Sequence, residues 1–174
     1  MKLLSRIISA AESISKLFAI IGAALIIPLI LSLAYEVFSR YVLREPTAWA
    51  YEISYMLMGT VFLFGMAYAL KTRQHVNVDV IYSILPKRAK ALCDMVGSFI
   101  LFIALCWLIN ALFGYVMDTY EYQERSGASG WNPIIWPFRA VWLIGFTLLA
   151  MQTFFEVIKS IKIVVSGNSV GEAV

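Results

Sequence analysis

The sequence predicts an all-α integral membrane protein with four transmembrane helices, an N-terminal amphipathic helix and a short surface helix in a cytoplasmic loop. Three observations carry this. Of 174 residues, 61% are hydrophobic and only 14% charged, against roughly half and a quarter in an ordinary soluble domain. The apolar excess is gathered into long runs, each sufficient for the ~20 residues a helix needs to cross a bilayer. The basic residues also segregate by side. The terminal segments and the middle loop hold Lys2, Arg6, Lys16, Lys71, Arg73, Lys87, Arg88, Lys90, Lys159 and Lys162, ten of the fourteen cations. By the positive-inside rule both termini are cytoplasmic, and the Glu36–Glu52 hairpin and the Asp118–Pro137 loop face outward. A net charge of +3 distributed this way argues for membrane topology rather than nucleic-acid binding.

Residues 1–16 read as an amphipathic helix lying in the headgroup plane. Leu3, Leu4, Ile7, Ile8, Ala11 and Ile14 form an apolar stripe opposed by Lys2, Arg6, Ser9, Ser13 and Lys16, a pattern that binds membrane lipid. A cleaved signal peptide is the competing reading. Glu12 and Lys16 interrupt it, and the apolar run that follows exceeds a signal-peptide core. The four-helix transmembrane domain then covers 17–162, with spans at about 17–39, 48–70, 91–117 and 135–158, and a flexible cytoplasmic tail at 163–174. In the first span Ala19 and Ala23, and in the second Gly59, Gly65 and Ala69, are small residues suited to close helix contact.

Between spans one and two the chain turns at Arg44-Glu45-Pro46, because proline biases its predecessor away from helix and cannot donate to a helix ladder. Glu36 and Glu52 stand about eight residues to either side, which places both about 10 Å inside the hairpin at 1.5 Å rise per residue. Arg40 follows Glu36 by one turn, the favoured order for an ion pair. Trp49 stands one turn outside Glu52, at the membrane–water interface. Ionisable groups at membrane depth face protein or a watery cavity rather than lipid, so this hairpin is expected to meet a partner.

In the middle loop Val80, Ile81, Ile84 and Leu85 share a helical face ended by Pro86, the pattern of a surface helix. His75 and Asp79 precede it, as a cytoplasmic contact or a helix cap. The third span projects outward through Asp118, Glu121 and Glu124. Gly127, Gly130, Pro133 and Pro137 then break the chain into a loop, flanked by Trp131, Trp136 and Trp142. Cys93 and Cys106 fall on one helix, roughly 20 Å apart and out of disulfide reach.

Enzyme chemistry has little to work with. One histidine, His75, rules out bis-histidine haem ligation and histidine-based zinc sites from this chain, and no Walker-type phosphate loop occurs. No cofactor is expected. Glu36 with Glu52 could in principle divide acid and base roles, but beside Arg40 and Arg44 a charge-balanced helix contact is the simpler reading. Asn110 and Gln152 are the main polar residues deep in the spans, too few for a substrate site.

Together, several of these features resemble the small permease subunit of tripartite ATP-independent periplasmic (TRAP) transporters. They are Glu36 and Arg40 closing the first span, Pro46, Trp49 and Glu52 opening the second, the run from His75 to Asp79, Leu85-Pro86, and SGWNPIIWP before the last span. Gly130-Trp131-Asn132-Pro133 departs from the family's pattern of a leucine before the proline. The resemblance covers about Leu17–Ile158. It implies a multi-pass protein of the bacterial inner membrane that is not itself the transport path. It would scaffold a larger permease carrying the sodium and substrate sites, while a soluble periplasmic binding protein delivers an organic acid such as a C4-dicarboxylate or a sialic acid. On that implication Glu36, Arg40, Trp49 and Glu52 would contact the large permease, and Arg44, Asp118, Glu121, Glu124 and Arg125 would dock the binding protein. The competing function is a self-contained, homo-oligomeric small exporter.

Overall fold

The computed structural model describes residues 2–72 and 86–166. Four long helices account for nearly all of it: α1 (Lys2–Phe38), extended by a widened π-type turn at Ser39–Leu43, α2 (Ala50–Lys71), α3 (Lys87–Glu121) and α4 (Trp136–Ser166). Each is long and apolar enough to cross a membrane. The only extended pairing among the described residues is a single antiparallel bridge between Arg125 and Ile134. The expected surface helix, with His75 and Asp79, lies outside the described residues.

Two boundaries differ from the sequence reading. Helix α1 begins at Lys2 and runs through residues 16 and 17 without a break, since nothing there carries a proline, a glycine or a capping turn. The N-terminal segment is a continuation of the first span, and its Ala11 and Ser15 are buried while Ile14 of the expected apolar stripe is exposed. At the other end α4 runs through Ser166, the last residue described, four residues into the expected tail, because Ile163, Val164 and Val165 continue the apolar run of the helix.

The helices form a row, α1 beside α2, α2 beside α4, and α4 beside α3. The inward face of α1 recurs at alternating steps of four and three residues: Ala11, Ser15, Phe18, Gly22, Leu25, Leu29, Ser32, Glu36 and Ser39 are all buried or half-buried. That 3.5-residue repeat is the seam of a left-handed helix pair, and its small members let α2 come close. A Cβ placed on Gly22 would stand 3.2 Å from Phe64 Cβ. Ser32 and Ser54 share a hydrogen bond of 3.3 Å across the seam, and Phe18 meets Phe64 edge to face at 4.9 Å. Lipid tails are as apolar as leucine, so helices associate by such close packing and by hydrogen bonds rather than by the hydrophobic effect.

Helix α4 is the hub. Its Leu148, Leu149, Ala150, Phe155 and Val157 are buried, and Leu149 and Ala150 form a core with Leu105 of α3. Against α2 it uses glycine on both sides: Gly59 of α2 lies under the Trp142 indole, and Gly145 of α4 lies against Leu63. At the end of the bundle opposite the α1–α2 hairpin, which the charge rule expects to be the inner end, Lys159 donates to Glu12 of α1 at 3.0 Å and to Glu156 at 2.9 Å, fastening the N-terminal part of α1 to α4.

An added methyl at Gly145 would sit 2.9 Å from Leu63 Cβ, and at Gly59 2.8 Å from the Trp142 ring, whereas at Gly65 it would meet nothing within 4 Å. Gly59→Ala and Gly145→Ala are expected to cost about 1–3 kcal/mol each, with Gly65→Ala near neutral. Thermal unfolding of the detergent-solubilised protein measures the difference.

Candidate functional site

Charged groups converge on the end of the bundle that holds the α1–α2 hairpin, the end the charge rule expects to face outward and called the outer end below, in three clusters that join helix ends to loops.

The first cluster closes the α1–α2 hairpin. Arg44 adopts a left-handed backbone with φ of 59°, reversing the chain just before Pro46, and the Glu45 amide donates to the Ser39 carbonyl at 3.1 Å. Glu36 reaches back across this turn. One of its oxygens accepts from Arg40 Nε at 2.9 Å and from Arg40 Nη2. The other accepts from the Thr47 amide at 2.9 Å and from the Thr47 hydroxyl. Thr47 in turn accepts from the Ala50 amide at 3.4 Å, serving a free donor of the α2 start. Trp49 stacks on Tyr35 with ring centroids 5.8 Å apart, binding the two helix ends in the region where an indole meets the interface.

The second cluster pins the outer loop to the hairpin. Glu52, in the first turn of α2, is 0% exposed. Its Oε1 accepts from Ser126 Oγ at 2.7 Å and from Ser129 Oγ, while Oε2 finds no hydrogen-bond partner among the described residues. The loop is shaped to present both serines. Ser126 donates its amide to the Pro133 carbonyl at 3.0 Å, and Ile135 donates to the Glu124 carbonyl at 3.2 Å. Asn132 Oδ1 accepts from the Gly127 amide at 2.8 Å. Gly127 (φ 64°) and Asn132 (φ 46°) supply the left-handed turns, a conformation glycine and asparagine tolerate best.

The third cluster joins α3 to α4. Arg139, 11% exposed, donates to Glu124 at 2.8 Å, to Thr119 Oγ1 and to the Tyr115 hydroxyl, and its guanidinium lies 3.6 Å from the Tyr115 ring centroid. A cation in the first turn of a helix opposes the helix dipole; Glu124 supplies the compensating charge. The Arg139 hydrogen bonds hold the Glu124 carboxyl below its ordinary value, against the opposing effect of desolvation.

These contacts sort the residues singled out in the sequence. Glu36 and Glu52 are held by different donors and do not pair with one another. Glu52, expected on a partner surface, is fully enclosed within this chain, because the loop 77 residues away folds over it. Glu124 is engaged by Arg139, while Arg44, Asp118, Glu121 and Arg125 are exposed at the outer end, and Arg125 donates to the Asn132 carbonyl at 3.0 Å. Arg40 is exposed and Trp49 half-buried. Sequence reasoning missed Thr47, Ser126, Ser129, Arg139 and the Glu12–Lys159 bond. A signal was present for Arg139, a lone cation opening an apolar span, and for the two hydroxyls three residues apart in a loop opposite an unpaired acid. The two deep polar residues are not part of one site: Gln152 is buried and Asn110 exposed.

Comparison with known proteins adds a family. Residues 29–162 match the model of tripartite ATP-independent periplasmic transporters, DctQ component. The chain is 28% identical over 149 residues to the ectoine TRAP transporter small permease protein TeaB of Halomonas elongata, covering 85% of this chain and 76% of that protein. It is 25% identical over 126 residues to the sialic acid TRAP transporter small permease protein SiaQ of Vibrio cholerae, covering 72% of this chain and 65% of that protein. A third match, 24% identical over 97 residues, is to the sialic acid TRAP transporter permease protein SiaT of Haemophilus influenzae, and takes up 56% of this chain but 16% of that longer one.

Two outcomes are expected from the clusters. Replacing Ser126 and Ser129 together by alanine strips Glu52 of both donors, and should destabilise the outer end by about 1–3 kcal/mol per lost donor; limited proteolysis at the loop reads the effect. For Glu124, a depressed carboxyl contributes stability that is complete above the ordinary carboxylate value of 4.5 and lost as pH falls through the lower, folded value. Glu124→Gln should therefore melt below the wild type at pH 7, with the gap closing in acid. A gap constant from pH 7 to pH 3 would contradict the assignment.

Proposed function

The chain belongs to the TRAP transporter family as a DctQ-type small permease component, and from that premise we propose that it is the stationary scaffold of a sodium-driven, binding-protein-dependent importer. It is a multi-pass protein of the inner membrane, and in this reading both termini are cytoplasmic. The larger permease moves substrate and sodium, and this chain gives it a fixed wall to move against.

The observation that favours this reading is the use of charge at the outer end. Glu36, Arg40, Glu52, Glu124 and Arg139 are engaged by partners inside the chain, so they fasten loops to helices rather than surround a solute. A wall that resists drag needs such stiff helix ends, together with anchorage in the lipid. The exposed apolar flank of α1 supplies the anchorage. TeaB and SiaQ are named for ectoine and sialic acid, which supports a small organic solute as the cargo, in this reading an organic acid. Exposed Arg40 and half-buried Trp49 are left to meet the large permease in the headgroup layer. In this reading Arg44, Asp118, Glu121 and Arg125, all exposed, dock the binding protein. Glu36 and Glu52 act indirectly, by holding the hairpin's shape. A self-contained exporter would need a shared polar site in mid-span, and the separation of Asn110 from Gln152 weighs against one.

Reconstitution decides between the two. The purified chain alone in liposomes should move no solute, and sodium-dependent uptake should appear when the large permease and binding protein are added. Uptake by the chain alone would overturn the scaffold reading.

A further inference from the structure

Among the described residues, helix α3 makes its extensive contact with α4. Its outer side is unlike a lipid-facing surface in one respect. Asn110 is exposed on it, 11 residues below the Glu121 end of the span. That is roughly 16 Å of helix, well inside a hydrocarbon core ~30 Å thick. No hydrogen bond joins its side-chain amide to another described residue. A primary amide carries two donors and an acceptor, and lipid can satisfy none of them.

The surface around it has relief. Trp107 is 73% exposed, one turn from Asn110, and Ala104, Ala111 and Gly114 lie about it, all exposed; a Cβ on Gly114 would meet nothing within 4 Å. Ala104, Trp107, Ala111 and Gly114 step by three, four and three residues, the repeat by which the α1 seam receives α2. A large knob among small residues on that repeat fits another helix more closely than it fits acyl chains.

We propose that this side of α3 is the membrane-embedded contact with the large permease, and that a helix of the permease presents a hydrogen-bonding side chain to Asn110. This rests on the scaffold reading above. The hairpin and this side of α3 lie towards opposite ends of the row, so a partner that meets both must be wide enough to span it, as a many-helix permease would be. The SiaT match, which occupies only 16% of a longer permease chain, favours a larger permease over a second copy of this chain as the occupant.

Cys106, exposed on α3 one turn before Asn110, offers a direct probe. In membranes holding the complete transporter, with Cys93→Ser leaving one reactive thiol, a photoactivatable maleimide on Cys106 should give an adduct with the large permease. Asn110→Leu and Gly114→Leu should each reduce recovery of the permease with the tagged chain by about tenfold, while Ile27→Leu, on the exposed side of α1, should leave it unchanged. An adduct only between two copies of this chain, or no protein adduct at all, overturns the inference. So does full recovery of the permease with both α3 variants. If the unsubstituted chain itself recovers no large permease, the scaffold reading fails instead, so the two failures are distinguishable.

Discussion

The outer end of this protein depends on the burial of one carboxylate. Glu52 sits in the first turn of α2, where a negative charge is favoured by the helix dipole, and where lipid would leave it unsolvated. The chain answers by folding a loop from the far side of the molecule over it, with Ser126 and Ser129 aimed at one oxygen. Removing either side of such an arrangement leaves buried polar groups without their hydrogen-bond partners. The loop and hairpin therefore hold one another, and the neighbouring clusters repeat the arrangement. Glu36 closes the hairpin through Thr47, and Arg139 ties the far end of the loop to α3 through Glu124 and Thr119.

Below this cap the physics changes. The helices gain little from excluding water, so contact is set by how closely backbones approach. Serine, alanine and glycine on the α1 seam, and glycines at both α2–α4 crossings, permit that approach. The hydrogen bond between Ser32 and Ser54 and the aromatic pairs add direction. The inner end is fastened by Lys159 between Glu12 and Glu156. The row is thus held at both membrane surfaces by polar bonds, and between them by close contact along small-residue seams.

That distribution suits an element that stays still. Charge bound into intrachain clusters stiffens helix ends and loops, as the proposed scaffold role requires. The exposed polar groups that remain fall into two classes with different physical meaning. Arg44, Asp118, Glu121 and Arg125 lie at the outer end, where water can solvate them at little cost. Asn110 lies at bilayer depth, where only protein can satisfy it.

Local chemistry was enough to determine the four spans, the turn before Pro46, the Glu36–Arg40 pair and the likeness to TRAP small permeases. Each follows from run length, from backbone restriction or from residues a few positions apart. Tertiary structure decided the rest. The Glu52 partners lie 74 and 77 residues along the chain, the Arg139 carboxylate 15 and the Lys159 acceptor on α1 147. No periodicity encodes those separations, because they depend on which helices stand side by side. The burial of Ala11 and Ser15 was likewise settled by packing, since they extend a seam that becomes visible only once the neighbouring helices stand against it.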